Sequence, residues 1–406
     1  MKNRNIKLIK DKLDIIIDYM DKHKELFVKN PEKDFVRNRK VNFKDIIRIV
    51  LSMKGESVDR ELYDYFGGDI ESIYKANVFY SQRERIKEDT FEFLFDMFNL
   101  VDKGEKTYKG YRLFAVDGSE IGFPSENTEI SEDYESDLFN LNVTYDLLNK
   151  TYTNAILQSK SEINERRALI DMLKNTEHNE KTLYICDRGY PSWNVFTHFK
   201  YTQNADFLIR YPNGGSGLTL NLPDKDLDFI QEVVISTKPK SYSVMDRYYK
   251  FHYAYISSST AWDFGKYEEI KVRIIKFEFS PGEYETIFTS LSQEEFSFEE
   301  IKRLYKMRWG VETSFKDLKS QMGLTRLSCK RTDFVKQEVF ARLIMYNFSR
   351  KIINEVEEQQ GKKKNVQYRT NFNMGYIICR DYFLNRISDD LIYDWILKYS
   401  GQVKGK

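Results

Sequence analysis

The spacing of apolar residues divides the chain into a helical start, a strand-rich middle and a helical end. Through residue 105 the apolar positions recur at helical intervals. Asn42 stands where a cap belongs, ahead of a helix from Phe43 to Met53 with Ile46, Ile47, Val50 and Leu51 on one face. Gly55 breaks that helix, Ser57 caps a second one through Phe66, and Gly67-Gly68 stops it. A third helix, Tyr80 to Ile86, carries Gln82, Arg83, Glu84 and Arg85, and a fourth turns Phe91, Leu94, Phe95, Met97 and Phe98 inward. Short helices followed by a polar, basic one predict either a helix-turn-helix unit or a small helical bundle with no DNA contact.

After residue 108 the period shortens. Leu113-Phe114-Ala115-Val116 is a buried-strand run ending in Asp117-Gly118. Leu141–Leu148 and Tyr152–Gln158 read as a hairpin turning at Asn149-Lys150. Asn164 opens a helix through Lys174, Leu183–Cys186 is another buried strand ending in Asp187-Arg188-Gly189, a helix runs from Ser192 to Tyr201, and Phe207–Ile209 is a fifth strand. Three antiparallel strands, then helix, strand, helix and strand, predict a mixed α/β sheet with helices on its faces. Asn213–Gly217 reads as a loop, and strands are expected at 227–236, 247–257, 269–279 and 284–291. Helices resume at Ser297, with Gly361–Asn365 as a loop between two of them. The expected divisions are a helical DNA-binding region at 1–105, a first core part at 106–210 and a β-rich insertion at 211–291. The core would be completed at 292–332, and a helical region would follow at 333–406.

Composition narrows the function. The 406 residues hold 64 basic and 63 acidic side chains, so any nucleic-acid surface must be a local concentration of charge. That concentration falls in 301–342, with eleven Lys/Arg against four Asp/Glu. Three scattered cysteines, Cys186, Cys329 and Cys379, offer neither zinc-ligand spacing nor a disulfide framework. No signal peptide or membrane span is visible, so a cytoplasmic protein without a membrane partner is expected. The four histidines, His23, His178, His198 and His252, are dispersed and suggest no shared chemistry.

Two aspartates at strand ends, Asp117 and Asp187, can converge on a divalent cation, although Asp-Gly turns are common and Asp187 has Arg188 beside it. A third carboxylate lies on a helix opened by Ser297 and Glu300 in capping-box spacing. At ~100° per residue, Tyr305, Arg308, Glu312 and Lys319 share an arc of about 60°. They border an apolar face of Leu304, Met307, Val311, Phe315 and Leu318. An Arg308–Glu312 pair alone is worth a few tenths of a kcal/mol and does not account for the whole stripe.

The spacing Tyr305-x2-Arg308-x3-Glu312-x6-Lys319 resembles the Y-R-E-K signature of DDE transposases of the insertion-sequence-four family. Asp117-Gly118-Ser119, Asp187-Arg188-Gly189-Tyr190 and Phe207-Leu208-Ile209-Arg210 are similar to the segments that hold that family's first two aspartates and the next strand. The resemblance implies an RNase H-like core in which Asp117, Asp187 and Glu312 hold two Mg2+ ions, with Mn2+ as a substitute. It further implies that Tyr305, Arg308, Lys319 and Arg210 contact DNA, and that a homodimer bridges the transposon's terminal inverted repeats before joining them to target DNA. A related metal-dependent nuclease would cut without joining, and a transposase-derived regulator would bind without cutting.

Overall fold

The computed structural model describes residues 3–37, 41–69, 71–124, 136–212, 222–237, 253–327 and 329–403. The expected loop at 213–217 and most of the expected strand at 247–257 lie outside these residues.

Alternating burial builds the centre. Strand β1 (Arg112–Pro124) buries Leu113 and Ala115 on one face and Phe114 and Val116 on the other. It pairs antiparallel with β2 (Ser136–Asp146), which pairs antiparallel with β3 (Thr151–Ser159). On its other edge β1 runs parallel to β4 (Thr182–Cys186), and β4 runs parallel to β5 (Ala205–Tyr211). The order β3-β2-β1-β4-β5, antiparallel then parallel, is the RNase H-like arrangement. The later strands, β6 (Leu227–Ser236), β7 (Tyr253–Tyr255), β8 (Tyr267–Ser280) and β9 (Glu283–Thr289), extend that same sheet. Antiparallel pairing of β9 with β5 makes one sheet of nine strands among the described residues.

Helices cover both faces and both ends. At the start lie α1 (Arg4–Lys22), α2 (Phe43–Ser52), α3 (Val58–Tyr65), α4 (Ala76–Arg83) and α5 (Thr90–Val101). Asn42 does cap α2, accepting the Asp45 N–H, whereas Ser57 precedes α3 without a side-chain cap bond. Helices α6 (Glu165–Asn175) and α7 (Trp193–Tyr201) are capped by Asn164 and Ser192 and pack on the Phe114/Val116 face. Behind the sheet come α8 (Phe298–Met307) and α9 (Trp309–Lys316). The chain ends in α10 (Thr332–Lys364), α11 (Phe372–Phe383) and α12 (Ile392–Lys398).

Two helical expectations are corrected. The third helix spans Ala76–Arg83 rather than Tyr80–Ile86, and its basic character is turned inward. Arg83 is fully buried and donates to Gln337 Oε1, Glu338 Oε1 and the Phe334 carbonyl of α10. Gly361–Asn365 is not a loop, because α10 runs 33 residues, through Gly361 to Lys364. A helical glycine costs only about 1 kcal/mol, and the stop comes at Asn365, whose φ of 52° suits a left-handed cap. Helix α10 joins the two ends of the chain, since α1, α2, α5, α11 and one sheet face share a core with it.

Candidate functional site

Asp117 is not at the end of its strand, because β1 continues to Pro124 against β2. It marks instead the end of the parallel pairing with β4, which stops at Val116–Cys186. One step further along β4, Asp187 leaves the sheet and its Oδ1 accepts the Gly189 N–H at 2.7 Å. That bond, rather than a pair with Arg188, fixes its rotamer. The two aspartates therefore flank the opening where adjacent strands part, the usual position for reactive groups on such a sheet.

Glu312, on α9, lies near enough to act electrostatically on Asp117. The Ser297–Glu300 capping box forms with both of its bonds and starts α8. The helix through Lys319 is not uniform, however. It tightens at Arg308, whose N–H bonds the Tyr305 carbonyl three residues back, and it widens into a π turn over Asp317–Gln321. Gly310 allows the close approach to the hairpin, since an added methyl would stand 2.8 Å from Leu147 Cδ2. Arg308 Nη2 donates to Glu312 Oε1 at 2.6 Å. The Arg308 residue is only 8% exposed, and its Nε has no hydrogen-bond partner among the described residues.

The carboxylates influence one another. Burial pushes the Asp117 carboxyl up to about 7, and Asp187 and Glu312 add to the rise. Arg308 and the Gly118 N–H oppose it. Burial also works against the Arg308 charge, but the Glu312 bond, with Tyr305 and Asp117 nearby, outweighs it. Among the described residues, no three His, Cys, Asp or Glu side chains already stand close enough to hold a metal ion. The donor set nonetheless fits one in kind. Carboxylate oxygens suit a hard divalent cation, and a cation beside Asp117 favours the charged form that burial disfavours.

Of the other expected residues, Tyr305 and Arg210 stand near Arg308, while Lys319 lies in the π turn. Tyr305 is 5% exposed and packs in the core beneath the sheet, and burial pushes its hydroxyl up to about 12. Lys319 is half-buried in the π turn, where its carbonyl accepts the Thr325 hydroxyl. The ~60° stripe assumed a regular helix, and the π turn takes Lys319 off that register. Arg210 pairs with Glu285 across β5 and β9 at 3.2 Å. One carboxylate missed by the sequence reading, Glu165, stands beside Gly118 and Gly189. Next to the Asn164 cap it looks like an ordinary helix start.

A family profile described as a transposase DDE domain matches residues 108–348, more than half of the chain and all three carboxylates. No curated protein matches. Among solved structures, a cryo-EM structure of a piggyBac transposase synaptic complex with hairpin DNA is similar at 10% identity and a TM-score of 0.45. The alignment covers 97% of this chain and 84% of that one.

Proposed function

Because the chain belongs to the transposase DDE domain family, we propose that it is a cut-and-paste DNA transposase whose site is Asp117, Asp187 and Glu312. The insertion-sequence-four subgroup is the best assignment within that family, on the Tyr305, Arg308, Glu312 and Lys319 spacing. The observation that carries the reading is the family match over 108–348, with Asp117 and Asp187 standing side by side where the β1/β4 pairing ends.

In this reading the three carboxylates hold two Mg2+ ions, or Mn2+ in their place. Bound there, the ions would activate the attacking water or 3′-hydroxyl and stabilise the leaving oxygen in an in-line displacement. The protein's own contribution is placement. The parting strands fix Asp117 and Asp187, and the buried guanidinium of Arg308 orients Glu312. A DNA phosphate offers Arg308 the acceptor its Nε lacks, and guanidinium–phosphate bonding is strong in a dry site. The separate Nη2 bond keeps Glu312 oriented. Trp309, 63% exposed beside Arg308, presents an apolar face to a base. Lys319 and Arg210 are the remaining cations assigned to DNA. Tyr305, being buried, acts chiefly by packing beside Arg308. The substrates are double-stranded transposon ends bearing terminal inverted repeats, and target DNA, handled by a homodimer.

The test is cleavage of a supercoiled plasmid carrying the element's ends, with and without Mg2+. Mg2+-dependent cuts at the ends are expected for wild type. Asp117→Ala, Asp187→Ala and Glu312→Ala should each reduce them by at least a hundredfold, an order typical of losing an essential catalytic group. Cuts that ignore the ends indicate a general nuclease, end binding without cuts indicates a regulator, and full activity in Glu312→Ala refutes the assignment.

A further inference from the structure

We infer that Glu165 is a fourth carboxylate of this site, holding one divalent cation together with Asp187 from the sheet face opposite Glu312. The inference rests on the metal-dependent reading above and adds a residue to it.

Strand alternation separates the faces. Asp117 shares the side of Leu113 and Ala115, whereas Gly118 shares the side of Phe114 and Val116, on which α6 packs. Glu165 is the first residue of α6, and its carboxylate fills the space that a side chain at position 118 would occupy. A methyl group added to Gly118 would stand 2.3 Å from Glu165 Oε1. A methyl group added to Gly189 would stand 3.2 Å from Asp187 Oδ1 and 3.4 Å from Glu165 Oε2. The two carboxylates thus face one small volume, which two glycines keep clear.

The Glu165 side chain is also held in place. Its carboxyl is raised first by burial and then by Asp187, while a hydrogen bond from Asn140 opposes the rise. Asn140 donates to Asn142 Oδ1, Asn142 donates to Gln158 Oε1, and Gln158 Oε1 accepts the N–H of Asn164, the cap of α6. An amide ladder across β2 and β3 therefore fixes the start of the helix that carries Glu165. Two partly buried carboxylates aimed at one point repel each other unless a cation lies between them.

An independent observation indicates an occupant. Tyr190 is 1% exposed, and its hydroxyl has no hydrogen-bond partner among the described residues. The acidic groups that act on it are Glu165 first, then Cys186, Asp117 and Asp187. Buried hydroxyls are normally paired, and a hydrated cation held by Glu165 and Asp187 would offer this one a water ligand.

The experiment is Mn2+ titration of the metal-free full-length protein, followed by electron paramagnetic resonance, with thermal unfolding as a control for folding. Glu165→Gln keeps the shape and removes the charge. It should weaken one Mn2+ by roughly tenfold or more, since even outer-sphere losses reach that range. It should also raise the Mg2+ concentration needed for half-maximal cleavage. Gly118→Ala is the second variant, because it retains every carboxylate yet displaces that of Glu165. It should reproduce the loss of the same ion. Asp187→Asn separates the two levels of the argument. Loss of Mn2+ in Asp187→Asn with unchanged binding in both Glu165→Gln and Gly118→Ala overturns the role of Glu165 alone. Unchanged binding in Asp187→Asn overturns the metal reading beneath it.

Discussion

At the scale of single residues, the site stores charge that the metal-free fold tolerates poorly. Asp117 carries its proton up to about pH 7, whereas an unfolded aspartate loses it near about 3.9. Between those values the folded state binds more protons than the unfolded one, so this group's contribution to stability falls as pH rises. It is fully present below about pH 4 and is lost as pH passes through about 7. In metal-free protein, Asp117→Asn should therefore raise the thermal midpoint at pH 8 and leave it nearly unchanged at pH 4. Calorimetric melting at the two pH values checks this, and an equal effect at both would show that the proton on Asp117 does not matter to stability. The aspartates were legible because each follows an apolar run, Leu113–Val116 or Leu183–Cys186, that strands must bury. Glu165 was not, because its meaning depends on Gly118, which lies 47 positions earlier in the chain and comes close only when α6 packs on the sheet.

At the scale of elements, local chemistry announced itself where it was self-contained. The Asn42, Asn164 and Ser192 caps and the Ser297–Glu300 box need only residues three positions apart, and all four form. Boundaries set by distant partners were illegible. Strand β1 outlasts its apolar run because β2 pairs with it to Pro124, and α10 outlasts Gly361 because its cap is at Asn365. Helix α4 is the clearest case, since its basic residue Arg83 serves α10 instead of a ligand. Both Arg83 and Glu338 are fully buried, and removing one partner of such a pair leaves an uncompensated charge. Arg83→Leu should lower stability by about 3–5 kcal/mol, and the double variant Arg83→Leu/Glu338→Leu should recover a substantial part. Urea unfolding of the single and double variants reads this out. A single variant as stable as wild type would mean that the pair does not tie α4 to α10.

At the scale of the molecule, the sheet and the α10 bundle divide the labour. The nine described strands place two aspartates at one opening, and the helices of both chain ends close on α10 behind them. The mixed α/β class was readable from the order of periodicities, because apolar spacing reports the element that buries it. The continuity of the sheet past residue 211 was not, because antiparallel pairing of β9 with β5 joins segments some eighty residues apart and leaves no local mark. Within this frame the proposed metal site is Asp117, Asp187 and Glu312, with Arg308 orienting Glu312. The most direct measurement is anomalous diffraction from crystals grown with Mn2+ and a transposon-end DNA. Mn2+ density bounded by the three carboxylates is expected, with the Arg308 guanidinium on a DNA phosphate. Density that avoids the Asp117–Asp187 pair, or that leaves Glu312 out of the site, would contradict the assignment.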